Sequence, residues 1–139
     1  MTNYSNNPWI PSMTTDVFVP DQLVAGDLKI VTDTVPVGGS GVYERGTVMG
    51  MIEATGVWIP SIKTAADGSE KPRGILVDQV DTTVTSPQTG GVYVMIEVNF
   101  NKLVYDSSWG AAGSAAALTA LKAGFGATSI FLKTPISAN

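Results

Sequence analysis

Five sets of residues in this sequence could do chemistry, three through their side chains and two through backbone N–H groups. Ser61 and Lys63 stand two apart and would be a nucleophile and its base if folding joined them. That spacing supplies no such geometry, and a polar strand end accounts for both. Asp78 and Asp81 offer two carboxylates to a cation, but a calcium loop needs more oxygen ligands at set intervals. Gln79, Val80 and Thr82 do not supply them. Glu44 and Glu53 sit at opposite ends of one predicted strand, which separates them too far for paired acid–base work. Two glycine-rich stretches resemble phosphate cradles. Gly38-Gly39-Ser40-Gly41 lacks a following Lys-Ser or Lys-Thr and precedes a strand rather than a helix. Gly110-Ala111-Ala112-Gly113-Ser114 does precede a predicted helix, whose N–H groups attract anions, but no lysine stands at the P-loop position. A loop ending in a helix cap explains it.

The chain has neither cysteine nor histidine. Disulfides and thiolate chemistry are therefore excluded, and the commonest general base and metal ligand are missing. A zinc site would have to be built from carboxylates alone, against the metal's usual preference for nitrogen and sulfur. No set of nucleophile, base and oxyanion donors assembles from the remaining residues. The sequence thus points away from an enzyme, and it calls for no cofactor and no metal. The formal net charge is −4, and the densest basic cluster is Lys71-Pro72-Arg73. Binding to a nucleic acid backbone needs clustered Lys and Arg, so no nucleic acid partner is expected. The opening Met1-Thr2-Asn3-Tyr4-Ser5-Asn6-Asn7 has no basic region and no apolar core, so it does not read as a signal peptide. No apolar run approaches membrane-spanning length, and a soluble chain made in a cytoplasm is expected.

What would position these residues is a single domain, since 139 residues can bury a core without staples. Charged residues make up only 14% of the chain, which fits an exterior covered by partners or simply a well-behaved β domain. Residues 1–20 read as an extended arm. Asn3, Asn6, Asn7, Pro8, Pro11 and Pro20 discourage helix, while Tyr4, Trp9, Ile10, Val17, Phe18 and Val19 are too apolar for a merely solvating tail. Such an arm either adds a strand to another chain's open sheet edge or folds back on its own domain.

Residues 21–139 form the domain proper, patterned as strands and turns. Leu28, Ile30 and Val35 mark one extended stretch, followed by a flexible loop over Val37–Val42. Strands are predicted over Thr47–Glu53, Val57–Ile59, Gly74–Val77, Val92–Val98 and Ser129–Lys133, with Leu103–Tyr105 as a shorter extended piece. Asp67-Gly68 centres a turn. One helix is predicted over Ala115–Lys122, with Ser114 as N-cap, Leu118 and Leu121 on one face, and Lys122 complementing the dipole. Gly124 is assigned the left-handed residue that ends it. The fold class is therefore mainly β with one short helix near the C-terminus.

Three segments, in order, resemble the phage head decoration family that includes the lambda-type decoration protein. Tyr43-Glu44-Arg45-Gly46-Thr47-Val48-Met49-Gly50-Met51-Ile52 is similar to its arginine-glycine-threonine strand entry. Asp67-Gly68-Ser69 followed by Pro72-Arg73-Gly74-Ile75-Leu76-Val77-Asp78 resembles its polar turn and glycine-isoleucine-leucine strand. The closing pair is Leu118–Gly124 with Ile130-Phe131-Leu132 behind it. Gly124–Thr128 and Thr82–Gly91 are longer than the family pattern leads one to expect.

The resemblance implies a compact domain of the β-clip or β-tulip type that forms a homotrimer on the outer surface of an expanded phage capsid. It implies a structural role, stabilising the head against internal DNA pressure, with the major capsid protein as partner. The arm would order against that partner through Trp9, Ile10, Val17, Phe18 and Val19. Trp58 and Trp109 are the candidates for trimer contacts, because large aromatics dominate interfaces, though burial in the core accounts for either equally well. Two other classes stay open. One is a tail tube or minor capsid component of the virion, and the other is a soluble ligand-binding β domain.

Overall fold

The computed structural model describes residues 22–134; the arm, residues 1–20, lies outside them. Eight strands are described: β1 (Val31–Val37), β2 (Val42–Tyr43), β3 (Val48–Met51), β4 (Trp58–Pro60), β5 (Pro72–Leu76), β6 (Val80–Asp81), β7 (Gln88–Asn99) and β8 (Ser129–Lys133). One helix, α1 (Ala115–Gly124), precedes β8. The protein is mainly β, as its sequence predicts.

The main sheet runs β1-β4-β3-β5-β7-β8 and closes on itself because β1 also pairs with β7. Strands β1, β4, β3, β5 and β7 thus make a five-stranded barrel. Closure rests on β1, which meets β4 in parallel through Val37 and Trp58 and lies antiparallel to β7 from Val31 to Val37. Strand β7 is long enough to serve two partners along one side. Tyr93 and Val92 face β5, while Met95 to Asn99 pair in parallel with β8. The outer edge of β8 carries no strand among the described residues.

Successive residues of a strand point to opposite faces, and that rule divides the core in two. Val35, Val37, Met49, Leu76, Val80 and Val92 form one buried cluster, the filling of the ring. Their immediate neighbours Val48, Ile75 and Tyr93 belong to a second cluster, with Phe100, Trp109, Ala117, Leu121, Phe125 and Ile130. Since that cluster includes α1, it lies outside the ring, between barrel and helix. Gly90 belongs to the inner packing: a Cβ there would come 2.9 Å from Cγ2 of Val37 and 3.0 Å from Cγ2 of Val80.

The helix starts as predicted. Ser114 Oγ accepts from the N–H of Ala117 at 3.1 Å, which satisfies one of the free donors of the first turn. Its end differs. Gly124 has φ −62° and ψ −39°, ordinary helical values, and the chain runs on into a 3-10 turn over Phe125–Ala127. The left-handed assignment for Gly124 is therefore corrected. The residue is glycine for lack of space, since a Cβ would stand 2.8 Å from Cγ of Pro72 and 3.1 Å from Cη2 of Trp109.

Candidate functional site

The residues that first suggest chemistry serve the architecture. Ser61 is fully buried; its Oγ donates to the carbonyl of Ser69 at 2.7 Å, and its own carbonyl accepts from Trp109 Nε1 at 3.0 Å. Lys63 is exposed, so the two side chains share no site. Asp81 Oδ1 accepts from the N–H and Oγ1 of Thr83 at 2.9 and 2.6 Å. Those two bonds, the hydroxyl's first, hold its carboxyl below the ordinary range. Asp78 is exposed, and among the described residues no three acidic side chains gather to hold a metal.

Glu53 meets Lys71 Nζ at 3.3 Å and Arg73 Nη2 at 3.2 Å, bracing the turn at Asp67-Gly68. Glu44 instead lends its carbonyl to Thr47 Oγ1 at 2.6 Å. The loop at Gly110-Ala111-Ala112-Gly113 leads into the Ser114 cap, with the N–H of Gly113 donating to Tyr105 Oη at 2.8 Å. Every buried side-chain nitrogen and oxygen among the described residues has a partner.

The two tryptophans part company. Trp109 is 5% exposed, packed in the outer cluster and bonded through its indole N–H, so its own chain accounts for nearly all of its surface. Trp58 is half-buried beside the inner cluster, with its ring over Gly74, where a Cβ would come 2.9 Å from Cζ3.

Sequence reasoning passes over a cluster at one end of β7. Val24 bridges Val98, and the carbonyl of Leu23 accepts from the N–H of Asn99 at 2.7 Å, so the chain's entry lies on one flank of β7. On the other flank Lys133 pairs with Asn99. Glu97 ties the flanks together: it accepts from the N–H of Leu28 at 3.2 Å and from Lys133 Nζ at 2.8 Å. The lysine hydrogen bond, then the Leu28 N–H, holds the Glu97 carboxyl below its ordinary value, against a smaller opposing effect of burial. In sequence, only the alternation Ser129-Ile130-Phe131-Leu132-Lys133 hints at this end.

Beside it runs a groove of about 380 Å³ between the end of α1 and β8. A second groove, of about 370 Å³, lies over Val42, Tyr43, Pro60, Val104 and Tyr105. No helix among the described residues is long and apolar enough to cross a membrane.

The described residues make a closed β-barrel domain whose polar side chains fasten its own loops, with an open strand edge and shallow grooves outside. The chain belongs to the family of the bacteriophage lambda head decoration protein D, whose model matches residues 12–125. That span takes in the whole barrel and α1, together with residues 12–20 of the arm. Comparison with curated proteins gave no match.

Proposed function

We propose that the protein is a capsid decoration, or cement, protein that binds as a trimer to the exterior of the expanded phage head and stabilises it against the pressure of packaged DNA. The family match over residues 12–125 carries this reading. The partner is the major capsid protein, met by the arm through Trp9, Ile10, Val17, Phe18 and Val19. Of the two tryptophans in the domain, Trp58, half-buried in its own chain, is the one with surface left for a trimer neighbour.

The energetics favour three arms over one. An arm that orders on binding loses conformational entropy, so a single arm grips weakly. Joined in a trimer, the second and third arms act at an effective concentration on the order of millimolar. Weak grips then combine into a clamp across subunit joints. A site that exists only in the expanded lattice would also make binding select the mature shell.

Light scattering coupled to size exclusion tests the assembly, and deletion of residues 1–20 tests the arm. The expected results are a mass of three chains, kept by the truncated protein, and loss of head decoration on truncation. Undiminished decoration without the arm would overturn its role, and rings or polymers would move the protein to the tail.

A further inference from the structure

We propose that the groove over Tyr43, Pro60, Val104 and Tyr105 is a docking site for a proline-flanked apolar segment, and that its occupant in the free protein is this chain's own Pro8-Trp9-Ile10-Pro11. The walls of the groove are set before anything enters. Tyr105 stacks on Phe100 with 5.8 Å between ring centroids, and its hydroxyl accepts from the N–H of Gly113 at 2.8 Å and donates to the carbonyl of Ala111 at 3.3 Å. The ring of Tyr43 lies against the glycine loop, where a Cβ at Gly41 would come 3.1 Å from Cε1. Val42 and Val104, which line the same groove, are 50% and 42% exposed.

The sequence names the occupant. Aromatic-lined grooves take up segments whose prolines stand three apart, because a polyproline II helix turns once in three residues and sets both rings on one side. Pro8 and Pro11 have that spacing, and no other two prolines of the chain do. Proline's fixed φ also leaves less freedom to lose on docking. The rim of the groove carries Glu44 and Asp106, while residues 1–15 contain no carboxylate that would be repelled there.

Position agrees with this choice. The chain enters the barrel beside the groove: a Cβ at Gly46 would come 3.4 Å from Cδ1 of Leu23, and the carbonyl of Gly46 accepts from the N–H of Val104 at 3.0 Å. Residues 12–21 tether Pro11 to Gln22 and can span at most about 36 Å, so the segment reaches a groove this near without being stretched. A short tether holds it at an effective concentration on the order of millimolar, at which a weak grip suffices. Docking keeps Trp9 and Ile10 from water in the free protein. It needs no head, so it stands or falls apart from the decoration reading.

The test uses full-length protein in which Ser12→Cys, the only thiol of the chain, carries a nitroxide. In nitrogen-15 spectra the amides of Tyr43 and Tyr105 should be lost to paramagnetic broadening. They should recover most of their intensity when Pro8→Ser is combined with Pro11→Ser, and again with Val104→Lys. The proline pair lies outside the barrel, so it carries the test even if Val104→Lys disturbs the fold. Equal broadening in wild type and the proline variant, as a freely sweeping arm would give, would overturn the proposal, as would no broadening at all.

A second sample places nitroxide and nitrogen-15 on different molecules, unfolded and refolded as a mixture. Intact signals are expected there. Loss of the Tyr43 and Tyr105 amides in that mixture would overturn docking within one chain and give the groove to a neighbour's arm.

Discussion

Gly26 lies against Glu97 so closely that a Cβ at position 26 would collide with the Oε2 of the carboxylate. The missing side chain lets Glu97 reach Leu28 and Lys133 at once, and so fasten the chain's entry to the end of β8. Gly26→Ala should force Glu97 out of this position, breaking both contacts and lowering the melting temperature. In a Glu97→Ala background the obstruction is gone, so the same substitution should then cost much less. A double-mutant cycle followed by thermal melting measures the coupling, and strict additivity would count against the arrangement.

The same carboxylate sets a pH dependence. Its folded pKa is depressed, chiefly by the Lys133 hydrogen bond, so the folded protein binds fewer protons than the unfolded chain near the ordinary carboxylate value. The stabilisation is therefore whole above that value and is lost as pH falls through the folded pKa. Asp67, which accepts from Ser69 Oγ and N–H, and Asp81, held by Thr83, shift the same way and add to the acid sensitivity. Denaturant melts across the acid range should show stability falling with pH, with a shallower slope for Glu97→Gln.

Gly124 gives a prediction opposite in sign to the usual one. Alanine for glycine within a helix commonly gains up to about 1 kcal/mol. Here the new methyl would press on Pro72 and Trp109, and overpacking costs about 1–3 kcal/mol. Gly124→Ala should destabilise the protein in urea melts. A stabilised variant would show that the helix end can shift away from β5.

Trp109 and Trp58 should behave differently. Trp109→Ala removes a buried ring from the outer cluster and should cost about 3–5 kcal/mol of stability. Trp109→Phe should cost less, losing mainly the bond to the carbonyl of Ser61. Trp58→Ala should instead show its larger effect on the mass of the assembly at low protein concentration. Equilibrium unfolding, with light scattering on the same samples, separates the two.

The parts of the fold visible in the sequence are those set locally. The alternation of Ser129–Lys133, the apolar run of Val92–Val98 and the Ser114 cap each fix an element without reference to distant residues. Barrel closure is not of that kind. It depends on β1 meeting both β4 and β7, and Thr32, Asp33 and Thr34 give no apolar pattern to announce it. The first part of β7 is hidden for a related reason. Gly90 looks like a turn residue, yet it is a strand residue whose missing Cβ makes room for Val37 and Val80.

Gly124 misled in the same way, its reason lying in a contact with Pro72 rather than in its own backbone. Ser61 and Lys63 are parted by burial, the serine inside and the lysine exposed, which their spacing in sequence does not show. The groove beside β8 was not legible, because an edge is defined by the pairing of every other strand. Trp9, Ile10, Val17, Phe18 and Val19, the proposed capsid contacts, lie outside the described residues.

The proposed role requires that the chain bind expanded heads and not unexpanded ones. The most direct measurement is a titration of the full-length protein onto bare heads before and after expansion, with bound chains counted at saturation. Saturable binding to expanded heads in multiples of three, with none to unexpanded heads, is the predicted result. Equal binding to both forms, or none to either, would contradict it.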